Sequence, residues 1–168
     1  MRRLLRTLLA IRRPVSLLLD VVTTLLLALL VVLTAQQVFM RYVFDSPAKW
    51  SEELTIAMLI WFGYLGITVG YRDGKHLSIT VFSDRLPPGG QKVLSIFVDL
   101  VMLTFCMLMA WQGVKLIRLD AINIMPATGI SMSWVSAVLV VSAALMILEA
   151  LIKLLRHASG LETEETVR

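Results

Sequence analysis

Four apolar runs, each long enough to cross a bilayer, constrain this chain more than any other feature. At 1.5 Å of rise per residue, about 20 residues span the roughly 30 Å of hydrocarbon. The runs cover residues 15–40, 53–71, 93–114 and 132–152, interrupted only near their ends by Asp20, Asp99 and Glu149. Backbone N–H and C=O groups find no water in lipid, so each run must satisfy its own hydrogen bonds as a helix. The expected fold class is therefore all-α: an integral membrane protein with four transmembrane helices, forming a single domain over residues 1–160. Composition agrees, because 58% of the 168 residues are apolar and 17% are charged. A soluble domain of this length leaves too much surface in water to hide a mean hydropathy of +0.81.

The charges lie at the ends and in the gaps between runs, and their asymmetry sets an expected orientation. Arg2, Arg3, Arg6, Arg12 and Arg13 precede the first run, Arg72, Lys75, Arg85 and Lys92 lie between the second and third, and Lys153, Arg156 and Arg168 follow the fourth. The other two gaps carry only Arg41 with Lys49 and Lys115 with Arg118. The positive-inside rule then puts both termini and the middle loop in the cytoplasm. The basic start resembles the charged region of a secretory signal, but the run behind it is too long and lacks a small-residue cleavage site before Gln36. It reads as a retained membrane helix, with Leu4, Leu5, Leu8 and Leu9 forming an amphipathic lead-in on the lipid surface. In the middle loop, Leu77, Val81, Phe82 and Leu86 recur at helical spacing, which predicts a short interfacial helix ended by Pro87 to Gly90, with an irregular loop as the alternative. The acidic tail at 161–168 is expected to be disordered.

Several function classes drop out. Basic residues at membrane borders are not a nucleic-acid footprint. The single Cys106 inside an apolar run cannot build a disulfide, zinc cluster or iron–sulfur site from this chain alone. His76 and His157 lie in polar stretches, so a haem held between membrane histidines is not expected, and no cofactor is. No catalytic serine, glycine-rich phosphate loop or paired carboxylate stands out, so the chain does not read as an enzyme. Asp20, Asp99 and Glu149 sit within about two helical turns of the cytoplasmic border. They read either as members of ion pairs and caps, with Lys153 four residues after Glu149 as one partner, or as parts of an ion pathway. The span centres hold Leu, Val, Ile, Met and small residues, which leaves no evident substrate path. Gly63, Gly66 and Gly70 share one face of the second run and invite close helix packing, inside this chain or against a partner. Tyr42, Phe44 and Trp50 cluster at the outer end of the first hairpin, as an interfacial belt or as a recognition surface.

These residues form an ordered pattern: Gln37 to Phe44 (QVFMRYVF), Trp50-Ser51-Glu52-Glu53-Leu54, Trp61, Gly66, Arg72 to His76 (RDGKH) and Arg85-Leu86-Pro87. As a set they resemble the small membrane subunit of tripartite ATP-independent periplasmic (TRAP) transporters, the DctQ-like family. Thr80 and Ser131 depart from it, where relatives often carry an acidic residue and a proline. The resemblance implies an inner-membrane scaffold subunit that works with a large multi-span permease and a periplasmic substrate-binding protein, within membrane lipids. It also implies sodium-driven import of an organic acid such as a C4-dicarboxylate, sialic acid or a sugar acid. Arg41, Tyr42, Trp50, Glu52, Glu53, Gly66, Gly70, Arg72 and His76 are the candidate interface or structural residues. Arg41 with Glu52 and Glu53 is expected to clamp the first hairpin. Two other readings stand beside this one: a small exporter that moves protons on Glu52 or Glu53, and a membrane anchor for a redox or signalling enzyme.

Overall fold

The computed structural model describes residues 2–46, 48–73 and 88–159. The expected interfacial helix at 76–86, His76, Thr80 and the acidic tail lie outside the described residues. Four helices follow in order: α1 (Arg2–Val43), α2 (Lys49–Arg72), α3 (Pro88–Asp120) and α4 (Ser133–Ser159). Each contains a stretch long and apolar enough to span a bilayer. The helices overrun the apolar runs, because backbone hydrogen bonding does not stop where side chains turn polar. α1 passes through Pro14 and begins at Arg2, and Pro88 to Gly90 open α3. Proline suits a first helical turn, where its missing N–H has no partner to lose.

The chain runs up and down, so the start of α1 and the end of α4 share one end of the bundle, called the termini end here. The connections at 44–48 and 121–132 share the other, the loop end. α1 closes with Asp45 in the left-handed region at φ 46°, a conformation aspartate tolerates better than most residues. That turn brings the amides of Phe44 and Ser46 onto the Met40 carbonyl. The second connection is a tight hairpin-like turn: Met125 donates to Ile130 (2.9 Å), Gly129 to Met125 (2.9 Å) and Met132 to Asn123 (2.8 Å). Gly129 sits there at φ +71°, where a Cβ would be strained.

α4 is the hub. It meets all three other helices, whereas among the described residues the backbone of α3 approaches only α4. Half of the α4 span is buried, against 11% for α1 and α3 and 17% for α2. Two apolar clusters hold the bundle: Leu19, Leu65 and Val138 between α1, α2 and α4, and Tyr71, Cys106, Met146 and Ala150 between α2, α3 and α4. Lipid tails are as apolar as leucine, so such contacts hold by fit and not by exclusion of water. Fit explains Gly113: a Cβ there would lie 2.8 Å from Val140 Cγ2 and 3.2 Å from Leu139 Cδ2, so only glycine lets α3 approach α4 this closely. The glycines of α2 behave differently. A Cβ at Gly63 or Gly66 would meet nothing within 4 Å, so neither position supports a close contact inside this chain.

Candidate functional site

Polar side chains gather at the two ends of the bundle. At the loop end, Gln37 of α1 donates through Nε2 to the Ser51 carbonyl (2.7 Å) and to Thr55 Oγ1 (2.6 Å) on α2. An amide inside an apolar span needs such partners, and here it latches the first hairpin. Arg41 Nη2 lies 3.1 Å from Glu52 Oε1, with side chains 63% and 46% exposed. Glu53 does not join that pair. Consecutive residues point about 100° apart around a helix, and Glu53 faces the 121–132 turn instead. Its Oε1 accepts from the Ala127 amide (2.9 Å), and its Oε2 accepts from the Thr128 amide (2.9 Å) and the Thr128 hydroxyl (2.9 Å). The expected three-residue clamp is thus two separate devices, an Arg41–Glu52 ion pair across the first hairpin and a Glu53 clasp on the second.

The same end carries further ties. Asp120 accepts from the Ser136 hydroxyl and from Asn123 Nδ2 (3.3 Å), and Trp61 Nε1 donates to the Trp134 carbonyl (3.1 Å). Tyr42 is 81% exposed and Trp50 45%, while Phe39 and Phe44 meet edge to face at 5.8 Å. These rings cluster at the loop end of the bundle.

At the termini end the pairing runs between helices. Arg72 is the centre of one group: Nη2 lies 2.8 Å from Asp20 Oδ1, Nε lies 2.8 Å from Asp73 Oδ1, and Nη1 donates to the Ser16 carbonyl (3.1 Å). The fixed fork of guanidinium donors suits this arrangement, and the side chain is only 12% exposed. Glu149 pairs with Arg12 of α1, with Arg12 Nε 3.0 and 3.1 Å from its two oxygens. The expected Glu149–Lys153 helical pair is not what forms. Lys153 Nζ donates to the Tyr71 carbonyl (2.7 Å) and sits 3.9 Å from the centre of the Tyr71 ring. A lysine near a helix end finds a carbonyl acceptor on the neighbouring α2, which leaves Glu149 to the Nε–H of Arg12. Asp99 of α3 is also buried.

Of the candidates from sequence, Arg41 meets Glu52, Glu53 and Arg72 hold partners of their own, and Gly66 faces open space. Gly70 lies one helical turn beyond Gly66. Sequence reasoning missed Arg12, Thr128, Gly113 and the Asp20–Arg72 match. Asp20 and Arg72 are both charged residues inside or against an apolar span, so pairing them was open to the rule that such charges seek each other. Nothing in the sequence signals the clasp on Thr128. Among the described residues, no group of three or more His, Cys, Asp or Glu side chains comes together as a metal site.

Comparison with known proteins adds what geometry does not carry. The family described as tripartite ATP-independent periplasmic transporters, DctQ component, matches residues 30–160. The chain belongs to this family. A TRAP transporter small permease protein from Haemophilus influenzae, named as putative, is 31% identical over 112 residues, covering 67% of this chain and 70% of its relative. The sialic acid TRAP transporter small permease protein SiaQ of Vibrio cholerae is 26% identical over 135 residues, 80% of this chain and 78% of SiaQ. The sialic acid TRAP transporter permease protein SiaT of Haemophilus influenzae is 34% identical over 123 residues, 73% of this chain but 20% of SiaT. As a DctQ component the chain is a small permease subunit of a TRAP transporter, a multi-pass protein of the inner membrane.

Proposed function

We propose that this DctQ component is a scaffold that carries no substrate itself and that braces a large permease subunit during sodium-driven import of an organic acid delivered by a periplasmic binding protein. The observation that carries this reading is the disposition of charge. The charged side chains described above lie toward the two ends of the bundle and are engaged with one another or with backbone, and that disposition speaks for a brace and against a carrier, which needs polar groups at mid-span. The length of SiaT beyond the part this chain matches is where its large subunit would reside. The exporter reading asks Glu52 or Glu53 to carry protons. The ion pair on Glu52 and the three donors on Glu53 count against it, since a carrier group must exchange partners.

Reconstitution tests the proposal. Liposomes holding only this chain should take up no C4-dicarboxylate, sialic acid or sugar acid under a sodium gradient. Uptake should appear when the large permease and the binding protein are added, and should fall when this chain is left out. Transport of organic acid or drug by this chain alone would overturn the scaffold reading.

A further inference from the structure

Two spans meet the termini end at matching borders: the apolar stretch of α1 starts at Arg12 and that of α2 ends at Arg72. Between them lies a polar recess of about 450 Å³, lined by Arg12, Arg13, Ser16, Asp20 and Arg72. Three guanidinium groups thus share the recess with one carboxylate, and that carboxylate is already paired with Arg72 at 2.8 Å. Glu149 engages Arg12 through Nε alone. Among the described residues, the terminal Nη groups of Arg12 and the whole guanidinium of Arg13 meet no acceptor. Water can solvate such donors but leaves their charge uncompensated, and at a membrane border, below the dielectric of bulk water, that charge favours an anion. A guanidinium fork matches the oxygens of a phosphate two bonds at a time. Attraction of basic residues to an anionic leaflet in general needs no fixed geometry. Here Arg12 is held by α4 and Arg72 by α1, so a ligand would meet donors that are already ordered. Depth points to the source of the phosphate. The recess lies at the ends of two spans, where lipid headgroups stand, and Leu17 and Val21 follow Arg13 at four-residue intervals on one face of α1, both exposed. A charged group above an apolar track suits an amphipathic ligand.

We propose that the recess formed by Arg12, Arg13 and Arg72 is a phosphate site, and that its ligand is the phosphodiester of an anionic phospholipid in the leaflet at the termini end. The site rests on how α1, α2 and α4 are tied together, and it stands whether or not the scaffold reading above is right. A headgroup held there bridges α1 and α2 beside the Asp20–Arg72 pair, so the lipid adds a further tie to the end of the bundle that charge already holds.

The test offers the purified full chain, in detergent, equal amounts of phosphatidylglycerol and phosphatidylcholine, and reads bound lipid by native mass spectrometry. Phosphatidylcholine carries the same phosphodiester but cancels its charge within the headgroup. The first phosphatidylglycerol retained should exceed the first phosphatidylcholine several-fold. Arg13→Gln removes the lining arginine that makes no ion pair among the described residues, so the interhelical ties stay in place, and the ratio should fall close to one. Arg118→Gln removes the same charge near the loop end and should leave the ratio unchanged. Equal loss in the two variants would reveal attraction to charge anywhere on the chain and overturns the proposal. A free anion is the other source of the same chemistry. Inorganic phosphate, compared with chloride at equal ionic strength, should not raise the unfolding temperature. A rise that Arg13→Gln abolishes, without any lipid preference, keeps the phosphate site and assigns it to a free anion. Neither lipid preference nor a rise overturns the site. In the complex with the large permease the preference should persist, and its loss there overturns the lipid assignment in favour of an acidic side chain of the partner.

Discussion

Glu52 and Glu53 are adjacent, alike in chemistry and different in duty. Glu52 meets Arg41 on an exposed surface, where an ion pair contributes about 0–1 kcal/mol and is screened by salt. Glu53 gathers two amides and a hydroxyl of the 126–129 turn. The two roles separate by charge reversal. Arg41→Glu should lower thermal stability only slightly in the purified chain, and adding Glu52→Arg should recover the loss. Adding Glu53→Arg should make matters worse, because it strands the turn amides without restoring the pair. If Glu53→Arg rescues Arg41→Glu, the two devices are one. Glu53→Gln keeps a single acceptor oxygen, so the amides of Ala127 and Thr128 should exchange with solvent several-fold faster, while those of the α2 interior stay unchanged. Unchanged exchange at Ala127 and Thr128 in Glu53→Gln would remove the clasp.

Packing between elements turns on two kinds of glycine. Gly113 sits where α3 and α4 touch, and Val140 beside it is β-branched and stiff. Gly113→Leu should therefore cost the chain about 1–3 kcal/mol of stability through overpacking, read as a lower unfolding temperature in detergent. Gly66 faces open space, so Gly66→Leu in the isolated chain should stay within about 0.5 kcal/mol of the parent. The same substitution should reduce co-purification with the large permease if the α2 glycine face is the intersubunit contact. Loss of stability at Gly66 with none at Gly113 would invert this picture of the bundle.

For the whole molecule, the termini end is tied by charge and the loop end by turns. Glu149→Gln leaves Arg12 without its carboxylate. Stranding one member of a buried pair costs roughly 3–5 kcal/mol, and the 28% exposure of Arg12 places the expected loss at or below the low end of that range. Lys153→Ala should cost less, because it removes a donor to the Tyr71 carbonyl while the Arg12–Glu149 pair stays intact. Equal losses in the two variants would argue against an interhelical Arg12–Glu149 tie. Orientation is a separate matter, resting on the excess of Lys and Arg at the termini and in the middle gap. Alkaline phosphatase, active only outside the cytoplasm, should work when fused after Ala48 and be silent when fused after Gly160. The reverse pattern would turn the subunit over.

The four spans, their helical class and their membrane setting were legible in the sequence because the cost of burying a polar backbone in lipid acts on every residue of a run, whatever its neighbours. The motif from Gln37 to Leu54 was legible as a family pattern, and Arg41 with Glu52 followed from short separation across one connection. Partners far apart in the chain were not. Arg12 and Glu149 lie 137 residues apart and Glu53 and Thr128 lie 75 apart, and which charge meets which depends on how the helices rotate against each other. Lysine four residues after a glutamate is a sound local expectation, and it gave way because the packing of α4 on α2 put a carbonyl within reach of Lys153 and an arginine within reach of Glu149. The glycines show the same division. Gly63, Gly66 and Gly113 are alike as letters, and only the positions of α3 and α4 in space make Gly113 the one of the three that closes a contact.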